Sequence, residues 1–431
     1  PEEEIYFSYD DRDRIIDIQG SDYHYNYEYG LADTFTVEHL PIVKETNLLT
    51  NKWSEYISTY EGLPLEYFDS FYWRKVYEYD FNSSSGTPPS PKPKKVLYYR
   101  KAAADRYETT FTYGQANILG YKTQTYLGRQ IVFEYNTNRL MKRKWYGQIN
   151  YSGFPYVDMR FDRDNSGLIT SITSDSNDKA LIALTNNDLE IEQVQHTAPQ
   201  VFDEGYTYDT RGNRLTSLTN SYTYNDLNQL TNNNTHTYSY DADGNLIEEK
   251  NITTTETKKF YYNAENRMIK YEHYPTEIEP VDIMAEYKYD IYGRRIQKNV
   301  NGVITNFHWE GDNLSFELNE NHQPIRRYIY ENGKDDVQGH VEYAEVDDPQ
   351  YFSFERKGWY SYIKDQVGTI TKVYKHETKQ MVDTRTYDTF GNLINQTGSS
   401  NGNLGFQSKY FDQESGLNYY YHRYYYPQTG R

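Results

Sequence analysis

The chain has 431 residues, far above the length at which a core becomes hard to bury, and allows roughly two to three domain-sized units. Its 63 acidic and 45 basic side chains leave a net charge of −18, a field that repels phosphate backbones and excludes nucleic acid as an expected partner. Cysteine is absent, which excludes disulfides, thiolate zinc sites and cysteine nucleophiles, and no apolar run approaches the ~20 residues of a membrane span.

A mean hydropathy of −0.97 would ordinarily signal disorder. The 50 tyrosines reverse that reading, because each carries a buriable ring behind one polar tip and favours extended backbone. Residues 1–204 are therefore read as degenerate repeat strands of an all-β protein. They open at Pro1-Glu2-Glu3-Glu4, with no methionine and no charged and apolar leader, as a piece of a longer polypeptide would. Tyr9-Asp10-Asp11-Arg12-Asp13 is the first trace of a repeat, and Phe71 to Tyr77 is an aromatic strand-like run. A Pro-rich insertion near 83–95, centred on Ser83 to Pro93, is read as a solvated loop in preference to a ligand for a partner. Tyrosine alternation resumes from Val96 to Phe161, with Tyr135 to Leu140 as a shortened repeat. Asp162 to Gly167 has the opening of a calcium-loop spacing, but its twelfth position is Thr173 rather than a bidentate carboxylate, so a turn is favoured. Residues 175–200 are the segment most open to a short helix, because Ala180 to Leu184 lacks alternation.

Residues 205–345 carry a regular array. Its unit is Tyr-Asp with Gly four positions after the Tyr: Tyr208-Asp209 with Gly212, Tyr240-Asp241 with Gly244, Tyr289-Asp290 with Gly293 and, further on, Tyr387-Asp388 with Gly391. Tyr224-Asn225 and Tyr262-Asn263 place Asn228 and Asn266 at the Gly position. Gly, Asn and Asp are the residues that tolerate positive φ, so this position is expected in the left-handed region of a tight turn, with the Asp or Asn side chain accepting backbone N–H groups. A strand ending in Tyr, a short loop and a second strand starting at an apolar residue make a β-hairpin, and repetition makes a long antiparallel sheet that must curl, close or stack. Loop-like breaks are expected at 273–280 and 395–403.

From about Gly205 onward the sequence resembles the Rhs or YD-repeat family, which includes bacterial polymorphic toxins, the C component of Tc toxins and the teneurins. Residues 346–431 are similar to its repeat-associated core. The resemblance is carried by Tyr360 to Gly368, by Tyr387 to Asn392, by Phe406, Gln407, Lys409, Asp412, Gly416 and Leu417, and by Arg423, Tyr424, Tyr425, Pro427, Gly430 and Arg431. It implies a repeat array curling into a hollow shell, secreted or at the cell surface. It further implies a C-terminal toxin or effector guest enclosed within, and secretion or delivery machinery as a second partner. The family motif Arg-Tyr-Tyr-Asp-Pro has Tyr426 at its acid, so a carboxylate-driven self-cleavage is not expected, and Asp348-Pro349 is read as a loop. No serine elbow, phosphate loop or zinc-binding histidine pair occurs, so no catalytic residue, cofactor or metal is expected. The competing readings are a cell-surface adhesin or carbohydrate-binding shell, which exposed aromatics beside acids would suit, and a structural component of a secretion complex.

Overall fold

The computed structural model describes side chains chiefly in residues 5–29 and 205–431 and, between these, mainly the backbones of strands; 331–333 and 345–355 fall outside the described residues. Residues 1–203 and 204–431 form two compact units.

In the first unit a 14-stranded antiparallel sheet runs from Tyr6–Tyr9 to Ile169–Ser174, every strand pairing with its neighbours in sequence. The segment read as open to a helix is instead two paired strands, Leu181–Thr185 and Ile191–His196. The apolar run there is too short for a helix of ordinary length, and a run of this size fits a buried strand as well as a helix until length decides. The Pro-rich insertion ends earlier than expected, because Pro93 opens the strand Pro93–Arg100 and pairs with Tyr79; a first strand position spares the ladder the missing N–H. Residues 80–92, 136–140, 164–168 and the Asp348-Pro349 pair lie outside the described residues.

In the second unit a hairpin of Thr207–Tyr208 and Arg214–Thr216 precedes a 16-stranded antiparallel sheet from Thr223–Tyr224 to Leu393–Gly398. The strands on either side of residues 345–355 belong to this one sheet, since Val337–Tyr343 pairs with Arg356–Lys364. Two expected breaks are narrower than anticipated: His273 belongs to the strand Met268–Tyr274, and Asn395 to Gly398 pair with Asp383 to Thr386. The polar run at 395–398 still makes a strand because Gln396 also donates its amide to the Asp383 carboxylate at 2.9 Å.

One turn recurs. Asp10, Asp209, Asn225, Asp241, Asn263, Asp290, Asn319, Asp365 and Asp388 each accept, at a single side-chain oxygen, the N–H groups two and four residues later. Positive φ falls three residues after the Asp or Asn, at Gly212 (78°), Asn228 (60°), Gly244 (89°), Asn266 (59°), Gly293 (74°), His322 (57°), Gly368 (86°) and Gly391 (86°). The Asn319 and Asp365 turns follow Leu318 and Lys364 instead of Tyr.

The tyrosine has a separate task. Tyr224, Tyr240, Tyr262 and Tyr289 donate their hydroxyls to the carbonyls of Arg214, Leu230, Leu246 and Met268. Each acceptor is the residue just after the preceding turn, so each of these hairpins is tied to the one before it. Trp309 continues the series by donating its indole N–H to the Arg295 carbonyl at 2.9 Å. A ring that reaches across the sheet buries apolar area and still satisfies its polar tip, which explains why Tyr rather than Phe recurs.

The sheet curls far enough for the hairpin that precedes it to meet its last turn within this unit. Tyr206 packs edge-on against Phe390 at 5.0 Å, and the Arg214 guanidinium lies 4.3 Å over the same ring. Its other face carries satisfied charge: Glu272 accepts the hydroxyls of Tyr261 and Tyr274 at 2.7 and 2.8 Å and pairs with Lys270. Burial pushes the Glu272 carboxyl up, but those three partners outweigh it and hold it at about 2, against an ordinary 4.5. A depressed folded value stabilises above the unfolded value and is lost as pH falls towards the folded one. Urea unfolding of Glu272→Gln should therefore show a shallower decline in stability between pH 4.5 and 2 than the parent chain.

Candidate functional site

The residues of the core motif come together as a C-terminal segment lying on one face of the curled sheet. Leu404, Tyr410, Leu417, Tyr419 and Tyr426 join a single apolar cluster with Phe260, Tyr271, Tyr287, Phe307, Tyr330 and Tyr362 from the strands. The segment leaves the last strand at Gly398, and its start is fixed by Ile370 N–H donating to the Gly405 carbonyl at 3.1 Å and by Arg385 donating to the Leu404 carbonyl at 2.8 Å. It then folds into its own sheet of Tyr410–Asp412, Leu417–Tyr419 and Tyr424–Tyr425. Gly416, at φ 74°, turns the chain between the first two strands.

Three polar anchors hold it. At the centre Asp412, wholly buried, forms a two-pronged pair with Arg295 at 2.5 and 2.9 Å. Lys298 bridges Asp412 at 3.3 Å and Glu414 at 3.1 Å. The Arg295 guanidinium is boxed by the rings of Tyr287, Phe307, Tyr410 and Tyr419, all within 5.2 Å of it. Burial pushes the Lys298 ammonium down, yet Tyr410, Asp412 and Glu414 outweigh that and keep it above the ordinary lysine range. The Tyr424 hydroxyl closes the cluster at 2.9 Å from that of Tyr289 and 3.2 Å from Arg295.

The second anchor is Tyr426, whose hydroxyl lies 3.0 and 2.9 Å from the Glu249 carboxylate oxygens and accepts from Lys258 at 2.9 Å. Burial first, then Glu249, pushes this phenol well up, so position 426 supplies a neutral donor where the family motif has an acid. The third is the turn row. Arg214 donates to the Gln428 carbonyl, Asn392 to that of Pro427 and Tyr425 to that of Phe390, at 3.0, 3.0 and 2.7 Å. Arg431 reaches Asn213 and the Asn228 carbonyl while its guanidinium sits 4.6 Å over Tyr224.

The remaining motif residues are accounted for around these anchors. Gln407 accepts the Tyr420 hydroxyl at 2.8 Å, Lys409 pairs with Asp335, and the Arg423 guanidinium lies 6.0 Å from the Tyr420 ring. Gly430 sits where a Cβ would come within 2.8 Å of Phe390. The repeat-turn residues do not converge on one point; they line the sheet, and those at several turns meet the segment: Gly293 at His422, Gly391 at Phe406, Gly368 at Ser408, and Asn213 and Asn228 at Arg431. Sequence reasoning missed Arg295, Lys298, Glu249 and Lys258, the charged half of the seat. The signal of Lys298, Glu249 and Lys258 is a charge at a strand position where alternation asks for an apolar residue, whereas Arg295 reaches the same face through a register shift opposite Tyr289.

The gap left among Arg295, Phe307, Trp309, Tyr410, Tyr419 and Tyr421 is 20 Å³, space for about one water, so the seat is a packed joint rather than a ligand pocket. Among the described residues no group of His, Asp and Glu is arranged to hold a metal ion.

A family model described as teneurin YD-shell matches residues 148–431. Among curated proteins, the tRNA3(Ser)-specific nuclease WapA of Bacillus spizizenii is 30% identical over 238 residues and the tRNA nuclease WapA of Bacillus subtilis (strain 168) 30% over 239. Each alignment takes 52% of this chain and 9% of the relative, so the chain spans under a tenth of their length. Among solved structures, TcdB2-TccC3-TEV aligns with 99% of this chain and 26% of its own at 15% identity and a TM-score of 0.48. TcdB2-TccC3-Cdc42 aligns with 99% of this chain and 30% of its own at 11% identity and 0.43.

Proposed function

The chain belongs to the teneurin YD-shell family, and from that premise we propose that it is the closing end of a hairpin shell that encloses an effector polypeptide carried by the same protein. The observation that supports this reading best is the seat: a sheet curled until its last turn touches the hairpin that precedes it, stoppered by its own C-terminal segment through buried charge. A wall of that kind separates an inside from an outside. The relatives named as tRNA nucleases are more than ten times longer than the stretch they share with this chain. In this reading the matched stretch corresponds to the container.

The chain itself performs no catalysis in this reading. The buried acid and base pairs beneath the segment, Asp412 with Arg295 and Glu249 with Lys258, hold it in place. A container for a toxic guest works outside its producer, so the protein is secreted or displayed at the cell surface and passes through delivery machinery. The test is protease protection in the full natural polypeptide. The guest should outlast the same guest expressed alone at equal protease concentration, and digestion of both at one rate would dispose of the container.

A further inference from the structure

Where the C-terminal segment leaves the sheet, its linker crosses a histidine. His340 is wholly buried in the strand Val337–Tyr343, opposite Tyr328 on one neighbouring strand and Tyr360 on the other. Its ring stacks on Tyr360 at 4.4 Å with 8° between the planes, and Nδ1 shares a 2.6 Å hydrogen bond with the Tyr362 hydroxyl. Gly402 of the linker lies directly on it, so close that an added Cβ would come within 3.1 Å of the Tyr362 hydroxyl and 3.3 Å of the imidazole. The other ring nitrogen, Nε2, stands 3.9 Å from the Glu342 carboxylate.

We propose that His340 is a proton-sensitive latch on the C-terminal segment, kept neutral while the linker is down and able to take a proton only when the linker lifts and water reaches the ring. The proposal rests on the segment being the closure of the shell, but the latch operates with or without a guest.

Every charged group around the ring bears on this. Glu342 on the same strand would welcome a charged imidazole, but its carboxylate already accepts the Tyr360 hydroxyl at 3.0 Å and has Arg326 at 3.7 Å. Arg326, from the strand Pro324–Tyr330, is paired to Glu317 at 2.8 Å and remains cationic. Arg385, from the strand Gln380–Tyr387, is paired to Asp383 at 2.7 Å. Tyr328, Tyr360 and Tyr362 are neutral. Burial first, then Arg326 and Arg385, outweighs the backbone of Ser400, which favours the charged ring, and holds the imidazole well below its ordinary range while the linker is down. The sign follows: the neutral, latched state has its full advantage above the free imidazole value of about 6.5 and loses it as pH falls below that. Between pH 7.5 and 5.5 the ratio of lifted to seated segment should rise about tenfold.

Hydrogen exchange of the whole chain, corrected for the intrinsic pH dependence of exchange, reads this directly. Peptides from 404–431 should lose about tenfold in protection between pH 7.5 and 5.5, those from 283–300 should not, and His340→Phe should remove the difference. Equal protection at both pH values, or an undiminished drop in His340→Phe, overturns the latch. Should that variant fail to fold, deuteration at the imidazole C2 carbon of His340 in the parent chain reports its titration. A midpoint well below that of a free imidazole supports the proposal, and one at or above it overturns it. No guest is present in any arm, so the container could fail its protease test while the latch stands, and the reverse.

Discussion

Asp412→Ala should destabilise the second unit by about 3–5 kcal/mol, because it strands Arg295 and Lys298 as buried cations without their shared carboxylate. Guanidinium unfolding followed by tyrosine and tryptophan fluorescence measures it. The loss belongs to the broken pair rather than to the worth of the intact one, since two charges taken from water recover little more than their desolvation. A companion variant separates the two. Removing Asp412 and Arg295 together, as Asp412→Leu with Arg295→Met, and leaving Lys298 on Glu414, should recover most of the loss. If the double variant is as weak as the single one, the shape of the seat matters more than its charge.

Gly391→Ala is the second large effect, at about 2–5 kcal/mol from backbone strain and overpacking together. Its φ is 86°, and a Cβ there would lie 2.5 Å from the Phe406 ring, so one methyl group both strains the turn and pushes on the C-terminal segment. Gly244 supplies the control. It occupies the same place in the same turn at φ 89°, but the nearest atom to an added Cβ is a Gln229 side-chain nitrogen at 3.6 Å. Gly244→Val should therefore show only the backbone cost, about 1–3 kcal/mol. Thermal unfolding of both variants decides: an unchanged Gly244→Val contradicts the turn geometry, and equal losses contradict the contact with Phe406.

The turns were legible in the sequence because their chemistry is local. An Asp or Asn that accepts two backbone N–H groups and a Gly or Asn at positive φ are five residues apart at most, and spacing alone displays them. The Asn319 turn escaped notice because Leu318 stands where Tyr would mark it, and the backbone needs only the Asn and a residue, here His322, that accepts φ 57°. The tyrosine ladder could be guessed as aromatic stacking but not as hydroxyl-to-carbonyl bonding, since its acceptors are backbone atoms that no side chain announces. The charged seat was hidden for a different reason. Arg295 and Asp412 are 117 positions apart, and nothing in either neighbourhood names the other. The strands at 181–196 were obscured by a short apolar run that fits either regular structure.

The direction of the ladder has a consequence for synthesis. Every donor, from Tyr224 to Trp309, points to a carbonyl earlier in the chain, never later. As the polypeptide leaves the ribosome, each new hairpin meets an acceptor already in place and waits for nothing still to be translated. Growth is vectorial, and the nascent wall needs no partner ahead of it until the last residues arrive to seal it.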